Sequence, residues 1–197
     1  FGVHAESIEP YTGAPQYAYS DEFAERDEGR MGFLLEGAPL FPMSTGGFVH
    51  SLGEDKLKFM GQLKHMSATG ALLHDGFGPE LEDPGGTVTL HTDGTPRLDY
   101  PFGPRLREAL KEATRRALHV QLAGGAREAY TGHGVGASSI AEANRLVEQL
   151  PYDSCALPVF SAHVMGGCPM GADPMTSIVD PRSMKHHGLS NLYVVDG

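Results

Sequence analysis

Residues 85–122 place the pattern of a two-stranded hairpin directly before that of a long helix, and this succession restricts the possible folds more than any other feature. In GGTVTLHTDGTPRLDYPF, Val88 and Leu90 alternate with threonines. Leu98 and Tyr100 alternate again after the turn residues TDGT. Alternating apolar residues on both sides of a short turn are typical of an antiparallel β-hairpin.

Two amphipathic helices are predicted after this hairpin. The first covers residues 104–122, with apolar residues at helical spacing on one face and charged residues on the other. The second covers residues 138–151, and it ends at Pro151. Ser139 and Glu142 have the spacing of a capping box at its start. The apolar face of the first helix comprises Leu106, Leu110, Ala113, Ala117 and Val120.

The other segments have shorter patterns. Residues 56–66 have leucine and methionine at helical spacing, and residues 70–78 indicate a short strand and a turn. Residues 1–50 are rich in Gly, Pro and Tyr, which predicts a long irregular segment. Hairpins and helices without regular strand–helix–strand alternation predict an α+β fold, with an antiparallel sheet and flanking helices.

The charge balance restricts the kinds of partner. The chain has 197 residues, with 15 Lys and Arg against 25 Asp and Glu, and a formal net charge of -10. Nucleic-acid binding and adhesion to an anionic membrane both require clustered cations, so neither is expected. No apolar run approaches the roughly 18 residues of a membrane-spanning helix. Cys155 and Cys168 are too few for a disulfide scaffold, and we expect two free, mostly buried thiols.

Three other kinds of site match the sequence poorly. Residues 131–139, TGHGVGASS, contain a loose Gly-x-Gly-x-x-Ala. A dinucleotide fingerprint requires a buried strand before it, and GAREAY is not one, so we interpret this run as a loop. His163, Cys168 and the histidine pair at 186–187 lack the paired short spacings of structural zinc, so no metal is expected. The Gly-x-Ser-x-Gly elbow of serine hydrolases is also absent from the sequence.

The run SAHVMGGCPMG, residues 161–171, combines one histidine with three glycines and several apolar side chains. Taken alone, such a histidine is more often a hydrogen-bonded, half-buried core residue than a catalytic one. Gly166, Gly167 and Gly171 remove side chains where a bulky group has to come close. His163 is the group in this run that can exchange a proton near neutral pH, and removal of a proton from an alcohol requires such a base in a dry pocket. The expected dry lining comprises Val164, Met165 and Met170.

Residues 161–197, SAHVMGGCPMGADPMTSIVDPRSMKHHGLSNLYVVDG, resemble the C-terminal signature of the glucose–methanol–choline (GMC) oxidoreductases. That signature has a histidine, a glycine-rich turn ending in methionine, a Val-Val-Asp strand, and then His-Gly followed by Leu-x-Val-Val-Asp-Gly. A weaker similarity covers residues 83–100, which resemble the sheet of the family's substrate domain. The matched positions are His163, Gly167, Met170, 178–180, 187–189 and 191–197.

The resemblance implies a flavoprotein that oxidises the CH–OH group of a small-molecule alcohol with FAD. It implies that His163 takes the proton of the substrate's hydroxyl group near the flavin ring. It also implies that Gly166 and Gly167 leave room for the flavin. The backbone of Asp196 and Gly197 matches the segment that approaches the diphosphate and the ribityl chain.

Two parts of the family pattern are absent from these 197 residues. They are the N-terminal Gly-x-Gly-x-x-Gly that holds the ADP part of FAD, and the segment after Val-Val-Asp-Gly with a second active-site His or Asn. We therefore expect a piece of a longer chain whose FAD-binding domain lies elsewhere. Residues 1–150 are expected to be a partial substrate-binding domain. Residues 151–197, where the composition changes to Gly, Met and Pro, are expected to be an incomplete segment that contacts FAD and returns to that domain.

Further expectations depend on the same resemblance. His187 matches a family position that is not catalytic, and we expect it to be structural. The alternative to an enzyme is a non-catalytic binding module that kept the fold without the cofactor, and flavin absorbance of the full-length protein distinguishes the two. The particular alcohol and the compartment, cytoplasmic or periplasmic, stay open.

Overall fold

Helix α3, Pro104–Ala123, packs against an antiparallel sheet in the larger of two units. The computed structural model describes residues 1–14, 16, 18–25, 30–49, 51–75, 86–161 and 163–195. The first unit is Phe1–Pro158 and the second is Val159–Gly197.

The first unit has an α+β architecture, as the sequence predicts. Among its described residues, six strands form one sheet in the order β2-β3-β4-β1-β7-β8, in which every pair is antiparallel. Two more strands, β5 and β6, form a separate hairpin. The elements are β1 (Gly2–Val3), β2 (Tyr19–Ser20), β3 (Phe33–Ala38), α1 (Pro42–Phe48), α2 (Gly53–Met60), β4 (Met66–Leu73), β5 (Thr87–Leu90), β6 (Pro96–Asp99), α3 (Pro104–Ala123), β7 (Glu128–Tyr130), β8 (Gly136–Ala137) and α4 (Ile140–Gln149).

Apolar side chains of α3 and α4 form the main core with the strands that follow α3. Leu110 and Leu118 of α3 are buried, and so are Ala143 and Val147 of α4. The strand residue Ala129 is also fully buried in this cluster. Small alanines at these positions let helix and strand backbones approach closely, which gives the dense packing of a protein interior.

A buried amide fixes α3 on the centre of the sheet. Gln121 Nε2 donates to Thr69 Oγ1 at 2.8 Å, and Ser67 Oγ donates to Gln121 Oε1 at 2.5 Å. His4 Nε2 lies 2.8 Å from the same serine oxygen and must be its donor, because the serine proton is already used. A Cβ atom on Gly2 would collide with Gln121 Oε1, so the neighbouring strand β1 needs glycine here.

The two amphipathic helices are confirmed, as Pro104–Ala123 and Ile140–Gln149. Ser139 is the N-cap of α4, and its Oγ accepts a hydrogen bond from Glu142 N at 3.2 Å. The Glu142 carboxylate reaches back to Ser138, whose N–H and hydroxyl both donate to it at 2.8 Å. The reciprocal bond of the capping box therefore goes to the residue before the N-cap.

The predicted hairpin is also confirmed. β5 and β6 pair antiparallel in the register Thr87↔Asp99 to Leu90↔Pro96. At the turn between them, Asp93 Oδ1 accepts hydrogen bonds from Thr95 N at 3.0 Å and from Thr95 Oγ1 at 2.6 Å. These bonds within the turn explain why local sequence was sufficient to predict it.

The prediction of an irregular segment over residues 1–50 is wrong in part. This segment contains β1, β2, β3 and α1. Strand β3 pairs with β4 along its length, from Phe33↔Leu73 to Ala38↔Ala68. The helix predicted over 56–66 is displaced: α2 is Gly53–Met60, and a 3₁₀ turn follows at Leu63–His65. The strand predicted within 70–78 begins earlier, at Met66, and residues 76–85 lie outside the described part.

The interpretation of residues 131–139 as a loop is also wrong in part. Strand β7 precedes the glycine-rich run, and its Ala129 is buried. The run itself is the turn of a β7–β8 hairpin, in which Ala129 pairs with Ala137. A dinucleotide fingerprint leads from a strand directly into a helix, whereas this run leads into another strand. The structure therefore gives a second reason to reject this run as a dinucleotide-binding site.

The second unit is a small sheet of isolated bridges. Met170 pairs parallel with Val179, Val179 pairs antiparallel with His186, and Lys185 pairs antiparallel with Tyr193. Val179 lies at the centre of these pairings and is 1% exposed. In the described part of the chain, no helix is both long and apolar enough to cross a membrane.

Candidate active site

The loop that begins at His163 enters the small sheet of the second unit at Pro169. Ile178 N donates to Pro169 O at 2.8 Å, and Gly171 N donates to Val179 O at 3.0 Å. These two bonds pair the end of the loop with the strand around the buried Val179. The histidine thus lies a few residues before a fixed point of the backbone.

His163 is exposed within the described chain. No described residue forms a hydrogen bond with its ring. Val164, Met165 and Met170 are 74%, 57% and 55% exposed. The expectation that these three side chains enclose the histidine in a dry pocket is not met by the described residues.

The three glycines of the run differ in what they allow. Gly166 has φ +82°, a left-handed conformation that side chains disfavour. Gly167 has no such φ, and no heavy atom lies within 4 Å of where its Cβ would be. At Gly171 a Cβ would lie 2.9 Å from Ser177 Cβ, so glycine is required by close packing. Gly166 likewise has no heavy atom within 4 Å of its Cβ position, so Gly167 is the one of the three with neither a left-handed backbone nor a close neighbour.

Two side chains hold the backbone just after the loop. His187 Nε2 lies 3.0 Å from Gly171 O and 3.1 Å from Ser177 Oγ. Ser177 Oγ donates to Asp173 O at 2.5 Å and lies 3.0 Å from Gly171 O. These internal hydrogen bonds agree with the expected structural role of His187.

A carboxylate closes the next turn of this unit. Asp180 Oδ1 accepts from Arg182 N at 2.9 Å and from Ser183 N at 3.0 Å. The hydrogen bond from the Arg182 backbone, followed by that from Ser183, holds the pKa of the Asp180 carboxyl below its ordinary value. Asp180 thus serves as a turn residue, and its carboxylate is engaged by backbone donors.

The histidines and cysteines of this region do not come together. The described residues contain no group of three or more His, Cys, Asp or Glu side chains placed to hold a metal ion. His186 and His187 differ in role, because His186 Nδ1 accepts from Gly188 N at 2.9 Å and from Leu189 N at 3.1 Å. Cys155 and Cys168 are unpaired, and both are exposed, so the expectation of mostly buried thiols is wrong.

Two of the four predicted cofactor-binding residues lie in the described part of the chain. Gly166 and Gly167 lie in the described loop after His163. Asp196 and Gly197 lie outside the described residues. Sequence reasoning missed Ser177, which is 7% exposed. A serine six residues after a glycine has no recognisable spacing, so no local signal would have indicated it.

The class of the protein follows from one comparison. A family model for the C-terminal region of GMC oxidoreductases matches residues 83–197, which is more than half of the chain. The match covers the β5–β6 hairpin, α3, α4 and the whole second unit. The matched family is one of oxidoreductases. The chain belongs to the GMC oxidoreductase family. Neither a curated protein nor a solved structure matches the chain significantly.

Proposed function

We propose that the protein containing this chain is an FAD-dependent enzyme that oxidises the CH–OH group of a small-molecule alcohol, with His163 as the base. The observation that supports this most is the position of His163 at the start of a glycine-containing loop within the family match. The exposed imidazole is available to a substrate, because no described side chain occupies its polar atoms.

The residues of the loop fit a flavin. Gly167 leaves open space where a side chain would otherwise lie, and a planar ring system needs such a surface. The exposed Val164, Met165 and Met170 offer apolar contacts of the kind that line cofactor sites. Gly166, Gly167, Asp196 and Gly197 would hold the cofactor. When bound, FAD supplies the acceptor for the hydride that leaves the alcohol carbon.

The contribution of this chain to the reaction is a proton transfer. The substrate's O–H bond breaks, and its proton moves to an unprotonated nitrogen of His163 while the carbonyl C=O bond forms. The C–H electron pair leaves with the hydride, so the alcohol loses two electrons and two hydrogens. An imidazole performs this step only when it is unprotonated, and it holds the proton afterwards as imidazolium.

The two parts of the chain have different proposed tasks. Residues 1–150, which contain the sheet, would form part of the substrate-binding domain. Residues 151–197 would contact FAD and return to a cofactor-binding domain of the same chain. The structure separates its units at Pro158, close to the change in composition at Pro151.

The base assignment is tested by His163→Asn in the full-length protein. Asparagine keeps a polar group of similar size, so flavin content should be unchanged. The rate constant of flavin reduction by the alcohol, measured by anaerobic stopped-flow absorbance, should fall by about 10²–10⁴-fold, the typical contribution of a positioned general base.

His91→Asn is the matched control, because it makes the same substitution at an exposed histidine beside the hairpin turn. It should leave the reduction rate unchanged. A His163→Asn rate within about threefold of wild type would exclude the base role. A full-length protein isolated without flavin absorbance would favour the non-catalytic binding module instead.

A further inference from the structure

His187 and Ser177 hold two nearby backbone carbonyl groups, those of Gly171 and Asp173, and we name Gly171, Ser177 and His187 the 171 clamp. His187 Nε2 is 3.0 Å from Gly171 O, and Ser177 Oγ is 3.0 Å from the same oxygen. Ser177 Oγ also donates to Asp173 O at 2.5 Å. The clamp therefore fixes the backbone on both sides of residue 172.

The protons of the clamp can be assigned. The serine has one proton, and its shortest contact is the 2.5 Å bond to Asp173 O. Gly171 O is then satisfied by the His187 Nε2–H, which also lies 3.1 Å from the serine oxygen. His187 must therefore have its proton on Nε2. This arrangement uses the imidazole as a hydrogen-bond donor, and an amide N–H at the same place would serve equally well.

The clamp is packed as well as hydrogen-bonded. Ser177 is 7% exposed, and Gly171 has no room for a side chain because Ser177 Cβ lies 2.9 Å from the position of a Cβ there. His187 N also donates to Ile178 O at 3.1 Å, which ties the histidine to the strand around Val179. The clamp is thus part of the same small sheet that receives the loop at Pro169.

The loop between His163 and Pro169 needs such a fixed end. Six extended residues can span up to about 20 Å, so a loop with a mobile end would let the imidazole sample many positions. Proton transfer requires the base within hydrogen-bond reach of the substrate, and a displacement of about 1 Å can cost on the order of 100-fold in rate.

We propose that Ser177 and His187 are positioning residues for the oxidation: they act through the loop, by fixing the point from which His163 extends. This inference rests on the proposed function. Loss of the clamp should lower the rate of flavin reduction without removing the flavin, and only while His163 is present to be positioned.

The experiment is a double-mutant cycle in the full-length, flavin-containing protein. His187→Ala should lower the anaerobic flavin-reduction rate by about tenfold, a fraction of the loss that misplacement can cause. His187→Gln should restore it to within about twofold of wild type, because the glutamine amide can donate to Gly171 O. His186→Ala is the matched control: it removes an adjacent imidazole that binds the N–H groups of Gly188 and Leu189 and should leave the rate unchanged.

The decisive arm introduces His187→Ala into a His163→Asn background. There it should change the rate by less than about twofold, since no base is left to position. If His187→Ala lowers the rate equally in both backgrounds, or does not lower it in the wild-type background, the positioning role is excluded. The proposed base role of His163 is not affected by that result. If the His163→Asn variant instead reduces flavin at the wild-type rate, His163 is not the base. The positioning role of the clamp is then excluded as well. If His187→Ala fails to retain flavin, the same cycle with Ser177→Ala, which removes only one hydroxyl, decides the question.

Discussion

At the residue scale, the glycines at 166, 167 and 171 lack a side chain for different physical reasons. Gly166 is required by its left-handed backbone, and Gly171 by the closeness of Ser177. Nothing within the described chain requires Gly167 to lack a side chain. Under the proposed function, the missing Cβ at this position leaves space for the cofactor.

Gly167→Val therefore separates cofactor binding from folding. The branched side chain has room in the chain itself, so the melting temperature of the apoprotein should be unchanged. The flavin content of the full-length protein should fall markedly, because the side chain would occupy the space proposed for the flavin. Absorbance of the purified protein and thermal unfolding of the apoprotein measure the two effects.

Gly47→Val is the control for this substitution. Gly47 is an exposed glycine of α1, and no heavy atom lies within 4 Å of its Cβ position. It should change neither the flavin content nor the melting temperature appreciably. Normal flavin content in a folded Gly167→Val protein would show that this glycine serves only the turn.

At the element scale, the placement of α3 on the sheet depends on a polar contact as well as on apolar burial. Gln121 is 6% exposed; its amide N–H donates to Thr69 and its amide oxygen accepts from Ser67, both of β4. A buried amide with both partners present is stable, whereas its partners become unsatisfied when it is removed. Gln121 therefore specifies where along β4 the helix lies.

Gln121→Leu should lower the free energy of unfolding by about 1–3 kcal/mol, the cost of leaving buried hydroxyl groups without their partner. The leucine has similar size, so lost packing contributes little. Denaturant unfolding followed by circular dichroism measures the change. Gln149→Leu makes the same substitution at the exposed end of α4 and should change stability by less than about 0.5 kcal/mol. Equal effects at the two positions would contradict a special role for Gln121.

At the scale of the whole molecule, the second unit exposes many large apolar side chains. Surfaces of this kind usually mark a site where another body of protein or a ligand packs. The proposed function supplies both, namely a cofactor-binding domain and FAD. The exposed side chains include Val159, Phe160, Val164, Met165, Met170 and Met175.

These 197 residues expressed alone should neither bind FAD tightly nor oxidise alcohols. Their Gly-x-Gly-x-x-Ala run is the turn of the β7–β8 hairpin, so it does not present a helix N-terminus to a diphosphate. Titration of the purified chain with FAD, followed by flavin fluorescence, measures the binding, and the full-length protein is the positive control. Sub-micromolar binding with turnover of an alcohol would contradict the proposed division of the site.

The sequence by itself determined the elements whose stabilising contacts are local, and it also indicated the family. Helix α3 has an apolar face at helical spacing, and the β5–β6 turn is closed by Asp93, so both patterns are visible within a few residues. The ordered run of residues 161–197 was sufficient to suggest the GMC oxidoreductases, which the family model confirms.

Tertiary structure alone decided the features that depend on distant residues. Gly2 and Val3 form a strand only because β4 and β7 pair with them from both sides, and two residues have no periodicity to read. Gln121 is buried because β4 supplies two hydroxyl partners, although a glutamine on a helix usually faces solvent. The 171 clamp likewise joins residues whose spacing has no motif. Hydrogen bonds of this kind depend on which backbones the fold brings together, and local sequence patterns do not encode that proximity.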